Sequence, residues 1–219
     1  MSKLVRSNRF LFVLGSYALA VWLAFGNLPR TFFLQDEWAL LSTFNYWIKA
    51  PLSWFERLFV YEQYTHVIPL SNIASFIEFK LFGVSFAPYA LVSMGLHLIN
   101  ALLVYSLARK LLKHDTAAFV AGLLFATYSN SHQAITWVAT TMGTAGSTLF
   151  ALISLFLFAN YIEEAPRRRF AILSHIALIA SLTFKESSVF LFLFLPIMGI
   201  VLTGREWKKL SAFFLYLFL

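Results

Sequence analysis

The sequence predicts an all-α integral membrane protein, with about six full transmembrane helices, a truncated seventh, and two juxtamembrane helices in the first outer loop. Three observations carry this. Of 219 residues, 60% are hydrophobic and only 12% are charged, roughly half the charge of a soluble domain. Mean hydropathy is +0.74. The apolar runs are long and lack strand alternation, so their backbone polar groups are satisfied within helices.

The elements follow in order. Lys3, Arg6 and Arg9 precede an apolar run over 10–28. A secretory signal has the same charge order, but its apolar core is about 7–15 residues and ends in a small-residue cleavage site. This run is long enough to span, so it reads as a retained signal-anchor. Residues 29–85 form the longest non-spanning segment, and Trp38, Tyr46, Trp47, Trp54, Phe55, Phe59, Tyr61 and Tyr64 are scattered through it. Amphipathic rings favour the headgroup region. Two short helices lying flat on the membrane surface are therefore predicted, over 36–48 and 70–82. In the second, Ser71, Ser75 and Glu78 fall at i, i+4 and i+7 on one face, and Gly83 closes it.

Further spans are predicted over 86–108, 117–130, 143–162, 170–184 and 188–203. A last run over 210–219 reaches about 15 Å at 1.5 Å per residue, half a hydrocarbon core. The chain is therefore expected to be a truncated product, a single transmembrane module over 1–219. The net charge of +7 is a matter of orientation, because 12 of the 17 Lys and Arg residues fall in four clusters between apolar runs. These are the N-terminus, 109–113, 167–169 and 205–209. The positive-inside rule makes them cytoplasmic, with the N-terminus. The turns at 29–85, 129–142 and 185–187 then face outside. Nucleic acid is not an expected partner. The absence of cysteine excludes disulfides and thiolate metal sites.

Candidate chemistry lies on the predicted outer side. The first loop supplies Asp36, Glu37, Glu62 and His66; the second supplies His132, Gln133 and Trp137; the third supplies Lys185 and Glu186. Each has an ordinary alternative. Paired acids after a membrane helix serve as interfacial polar groups. His66 can open a helix, and His132 can satisfy free carbonyls at a helix end. Lys185-Glu186 stands out, because two charges in a tight turn between short spans are expensive near lipid. His97, Asn100 and His175 read as interhelical hydrogen-bonding groups, and the small residues Gly15, Ser16, Gly95, Gly122, Gly143 and Gly146 as close helix contacts. Walker and Rossmann glycine loops, H-E-x-x-H and nucleophile-elbow motifs are absent from the sequence.

The order of these pieces resembles the GT-C superfamily of membrane glycosyltransferases. It is most similar to bacterial relatives of the protein O-mannosyltransferases (glycosyltransferase family 39) and of the transmembrane-and-tetratricopeptide proteins. The likeness is carried by Asp36-Glu37, His66-Val67-Ile68-Pro69-Leu70-Ser71-Asn72, the stretches 79–83 and 96–105, His132 with Trp137, and Phe184-Lys185-Glu186-Ser187. It implies sugar transfer from a polyprenyl-phosphate donor to an acceptor hydroxyl, with inversion, among membrane lipids. Asp36 or Glu37 would be the catalytic carboxylate. Lys185 would hold the leaving phosphate. His66 and His132 would assist with phosphate or a divalent ion, for which Asp36 and His66 are the candidate ligands, and Trp137 and Glu186 would line the substrate site. The resemblance also implies a bacterial inner membrane, an active face that is periplasmic or extracellular, and a missing C-terminal part. Residues 140–144 lack the Arg-x-Asp pair of many relatives, and Ile68 replaces their basic residue before Pro-Leu. The alternative is a non-catalytic multi-pass membrane protein, such as a lipid or solute transporter or a membrane scaffold.

Overall fold

The computed structural model describes residues 3–50, 53–60, 66–128, 132–163, 168–203 and 207–215. Expectations for Tyr61, Glu62, Tyr64, the turn at 129–131, Glu164, Arg167, Arg205 and residues 216–219 lie outside them. Among the described residues the helices are α1 (Lys3–Phe25), α2 (Gln35–Lys49), α3 (Pro69–Phe82), α4 (Phe86–Leu112) and α5 (Asp115–Thr127). They continue as α6 (Gln133–Thr136), α7 (Val138–Glu163), α8 (Arg168–Phe184), α9 (Leu191–Thr203) and α10 (Trp207–Leu215).

Three helices among the described residues are long and apolar enough to cross a bilayer: Asn8–Arg30, Phe86–Leu112 and Val138–Glu163. The protein is thus a multi-pass membrane protein. The expectation of six full spans and a truncated seventh is corrected, and length is the reason. α5 has 13 residues, which reach about 20 Å against a hydrocarbon core of about 30 Å, and α9 with the 3-10 turn before it makes an apolar helix over Glu186–Leu202 that is also too short. α8 has 17 residues and opens on Arg168-Arg169. α9 also carries Pro196 in its interior, which removes one hydrogen bond from its ladder. Hydropathy does not by itself separate a span from a shorter apolar helix packed beside spans.

Two clusters form the core. On α1, Val13, Tyr17, Val21 and Phe25 recur every fourth residue and pack with Tyr89, Ala90, Met94, Ala101 and Tyr105 of α4 and Ala118 and Ala126 of α5. The second cluster joins Leu155, Phe158, Ala159 and Ile162 of α7 to Leu178 of α8, Leu191, Leu195 and Met198 of α9, and Phe213 of α10. Many other apolar side chains point outward, among them Leu11, Phe12, Leu19, Trp22 and Leu23 on α1 and Leu193, Ile197 and Val201 on α9. An apolar exterior is what lipid accepts.

Ion pairs and hydrogen bonds set the relative directions. Arg9 pairs with Asp115, and Arg109 Nε reaches the same carboxylate at 3.0 Å. Lys110 Nζ lies 3.0 Å from Glu163. The start of α1, the end of α4, the start of α5 and the end of α7 therefore share one end of the bundle. α5 runs back along α4, and the His97 ring bonds to the Ala126 carbonyl at 3.1 Å. Asn100 Nδ2 donates to the Ala145 carbonyl at 3.0 Å, joining α4 to α7. His175 bonds within its own helix, to the Ala171 carbonyl at 2.8 Å, and stacks on Phe213.

α7 and α8 form an antiparallel hairpin sewn by serines. Ser154 and Ser174 exchange hydroxyl-to-carbonyl bonds, both at 2.9 Å. Seven residues away on each helix, Ser181 Oγ donates to the Ser147 carbonyl at 2.8 Å. Small hydroxyl residues allow close approach and hydrogen-bond across the gap. Of the glycines expected at close contacts, Gly122 abuts the Tyr17 ring and Gly146 the Phe184 ring, whereas Gly15 and Gly95 face open space.

Candidate functional site

At the opposite end of the bundle from the Arg9–Asp115 pair lies a cavity of about 360 Å³. α2 contributes Asp36, Ala39, Leu40 and Thr43 to its wall, a stripe at i, i+3, i+4 and i+7. His66 and Ile68 come from the segment before α3, and Ser71 from its first turn. Trp137, Ala139, Thr140 and Gly143 come from the start of α7, and Phe184, Lys185 and Glu186 from the turn after α8. Five of the sequence-derived candidates therefore meet here: Asp36, His66, Trp137, Lys185 and Glu186.

Asp36 and Glu37 are neighbours with different fates. Successive helical residues point about 100° apart. Asp36 is exposed to the cavity and makes no hydrogen bond or ion pair among the described residues. Glu37 is turned into the protein and is 2% exposed. Its Oε2 accepts from Leu34 N at 2.5 Å, and Glu37 N donates to the Leu34 carbonyl at 2.8 Å. This reciprocal pair starts α2 in the manner of a capping box. Its Oε1 accepts from Val138 N at 2.6 Å, at the first turn of α7. One carboxylate thus serves two helix N-termini, where unpaired N–H groups and the helix dipole favour negative charge.

Lys185 Nζ donates to Thr144 Oγ1 at 2.9 Å. Glu186 pairs with His66 Nδ1, closing a contact between the segment before α3 and the turn after α8. Burial pulls the Glu186 carboxyl upward, but its own backbone N–H, His66 and the Lys185 charge outweigh this and hold it below the usual carboxylate range. His132 does not line the cavity; its ring bonds to Thr136 Oγ1 at 3.0 Å, one turn along α6.

Sequence reasoning missed how α3 is turned. Its polar face is buried: Ser71, Asn72, Ser75 and Glu78 lie inside, while Ile77 and Leu81 are exposed. A helix beside lipid is inverted relative to one in water, and the i, i+4, i+7 spacing was the available signal. Glu78 shares a small void with Glu37, Ser75 and Tyr89, and burial pushes its carboxyl up to about 8. Tyr17, also without an assigned role, is fully buried and donates to the Phe119 carbonyl at 2.8 Å. The seven-residue spacing of serines in α7 and α8 would have revealed their hairpin contact.

Compared with models of protein families, with curated protein sequences and with solved structures, the chain finds no match. The expected membership of the GT-C superfamily is corrected by the architecture, which has three long apolar helices among the described residues in place of that fold's many spans. Sugar transfer from a polyprenyl-phosphate donor, with Asp36 or Glu37 as catalytic base, rested on that fold and falls with it. The divalent metal expected at Asp36 and His66 is corrected too. Among the described residues no three His, Cys, Asp or Glu side chains are grouped to hold a metal ion. The class that fits is a multi-pass membrane protein with a cavity at one end whose wall mixes charged and apolar side chains.

Proposed function

We propose that this is a non-catalytic multi-pass membrane protein of the carrier or binding kind, and that it holds a small polar ligand in the cavity beside Asp36, His66, Trp137, Lys185 and Glu186. The observation that supports this is the convergence itself. Five polar or aromatic side chains from four separate stretches of chain line a space of about 360 Å³, within the range of small-molecule sites. The ligand comes from the lipid or the adjoining aqueous phase. The cavity end faces outward in the cell membrane, because the basic clusters belong to the opposite end and such clusters stay cytoplasmic.

The test is ligand retention. The purified protein in mild detergent is analysed by native mass spectrometry beside Ala39→Trp, which puts an indole on the exposed cavity wall of α2. A bound small species in the wild type that is lost in the variant, with both unfolding alike, supports the proposal. Equal occupancy in the two proteins, or an empty wild type in native membranes, refutes it.

A further inference from the structure

Taking the cavity as a ligand site, we infer that its ligand is a zwitterion bearing a primary ammonium and a phosphodiester. This is the phosphoethanolamine unit, on a phospholipid or on free glycerol. The charges on the cavity wall select it. Glu186 is already engaged by the His66 ring. Two further charges make no salt bridge among the described residues. One is the carboxylate of Asp36; the other is the ammonium of Lys185, which spends one of its three donors on Thr144. They belong to different walls, α2 and the turn after α8.

A simple anion would satisfy Lys185 while standing in the field of Asp36 and Glu186. A simple cation would satisfy Asp36 and leave Lys185 without a salt bridge. A ligand with both signs, separated by a short linker, pairs with each. The ammonium that Asp36 accepts must donate, since a carboxylate is an acceptor only, so a quaternary choline is a poorer fit. The indole of Trp137 lines the same cavity, and an aromatic face attracts primary and quaternary ammonium alike, so the hydrogen bond to Asp36 is what separates the two. Leu40, Ile68 and Phe184 supply apolar wall beside the charges, which suits a glycerol backbone and the first methylenes of its chains. The cavity is also larger than a bare amino acid needs.

The test uses the full chain in detergent, titrated with short-chain phosphatidylethanolamine, phosphatidylcholine and phosphatidylglycerol, and with soluble glycerophosphoethanolamine. Calorimetry or intrinsic fluorescence gives the affinities. Phosphatidylethanolamine is expected to bind about tenfold or more tightly than phosphatidylglycerol, the gain from one charge-assisted hydrogen bond. Asp36→Asn, isosteric and at an exposed unpaired position, should erase that preference. Lys185→Met should weaken both lipids. Binding of glycerophosphoethanolamine at comparable affinity assigns the unit to a soluble ligand, and its absence assigns it to lipid. Equal affinity for the two lipids, with Ala39→Trp abolishing both, overturns the zwitterion and leaves the cavity as a ligand site. Binding that Ala39→Trp does not affect overturns the cavity as well.

Discussion

Glu37→Ala removes the acceptor shared by two helix starts, and its cost can be worked from the geometry. Leu34 N and Val138 N lie 2.5 and 2.6 Å from the two carboxylate oxygens. A hydrogen bond to a charged group contributes about 1.5–3 kcal/mol, and a buried donor left without a partner costs on that scale. Val138 N is buried, whereas Leu34 lies near solvent and its N–H regains water. The expected loss is therefore about 3–5 kcal/mol, with Val138 providing the larger share. Glu37→Gln keeps the shape but turns an amide NH₂ toward one of the N–H groups, so it should recover about half. Asp36→Ala, one residue away, removes no partner and should stay within about 0.5 kcal/mol of wild type. Equilibrium unfolding in mixed micelles, followed by tryptophan fluorescence, compares the four proteins. Amide exchange at Val138 locates the damage. An alanine variant within about 1 kcal/mol of wild type, or an Asp36→Ala variant as unstable as Glu37→Ala, would refute the reasoning.

Two other substitutions test the interior. Glu78 has its carboxyl raised from 4.5 to about 8 by burial, and Glu37 and Tyr89 are the titratable groups facing it across the void. The folded state keeps the Glu78 proton where the unfolded chain releases it, so this stability is complete below pH 4.5 and is lost as pH rises through about 8. The loss is at most about 5 kcal/mol. Glu78→Gln should flatten that part of the profile, and parallel pH profiles for the two proteins would sink the idea. Gly122→Ala drives a methyl to within 2.3 Å of the Tyr17 hydroxyl, so the fully buried Tyr17 ring must shift. It should cost about 1–3 kcal/mol, the usual penalty of overpacking. Gly15→Ala, which meets nothing within 4 Å, is the control, and equal unfolding midpoints for the two would remove Gly122 as a contact point.

Several features were legible along the chain because they depend on neighbours in sequence. Gly83 ends α3 at a φ of +57°, where a residue without Cβ is at ease. Pro69 stands in the first turn of α3, where its missing N–H does no harm. The clusters around Arg9 and Arg109 meet at one end because they flank long apolar runs. The count of full spans was not legible, since α5, and α9 with the turn before it, are as apolar as spans but too short to cross. Nor could sequence tell Asp36 from Glu37. Both are acids at a helix start, and only the position of α7 decides which one becomes a buried cap.

Local composition alone settles that the chain is helical, that it lives in a membrane, and which residue types are dear enough there to mark a site. Those are sums over adjacent residues, and hydropathy and helical period measure them directly. The cavity belongs to the tertiary structure. Glu37 meets Val138 across 101 positions, His66 meets Glu186 across 120, and Lys185 reaches Thr144 across 41. No periodicity encodes such pairings. They follow from how α2, α3 and α7 pack, which turns the polar face of α3 inward, gives Glu37 to the core, and leaves Asp36 and Lys185 on the cavity wall.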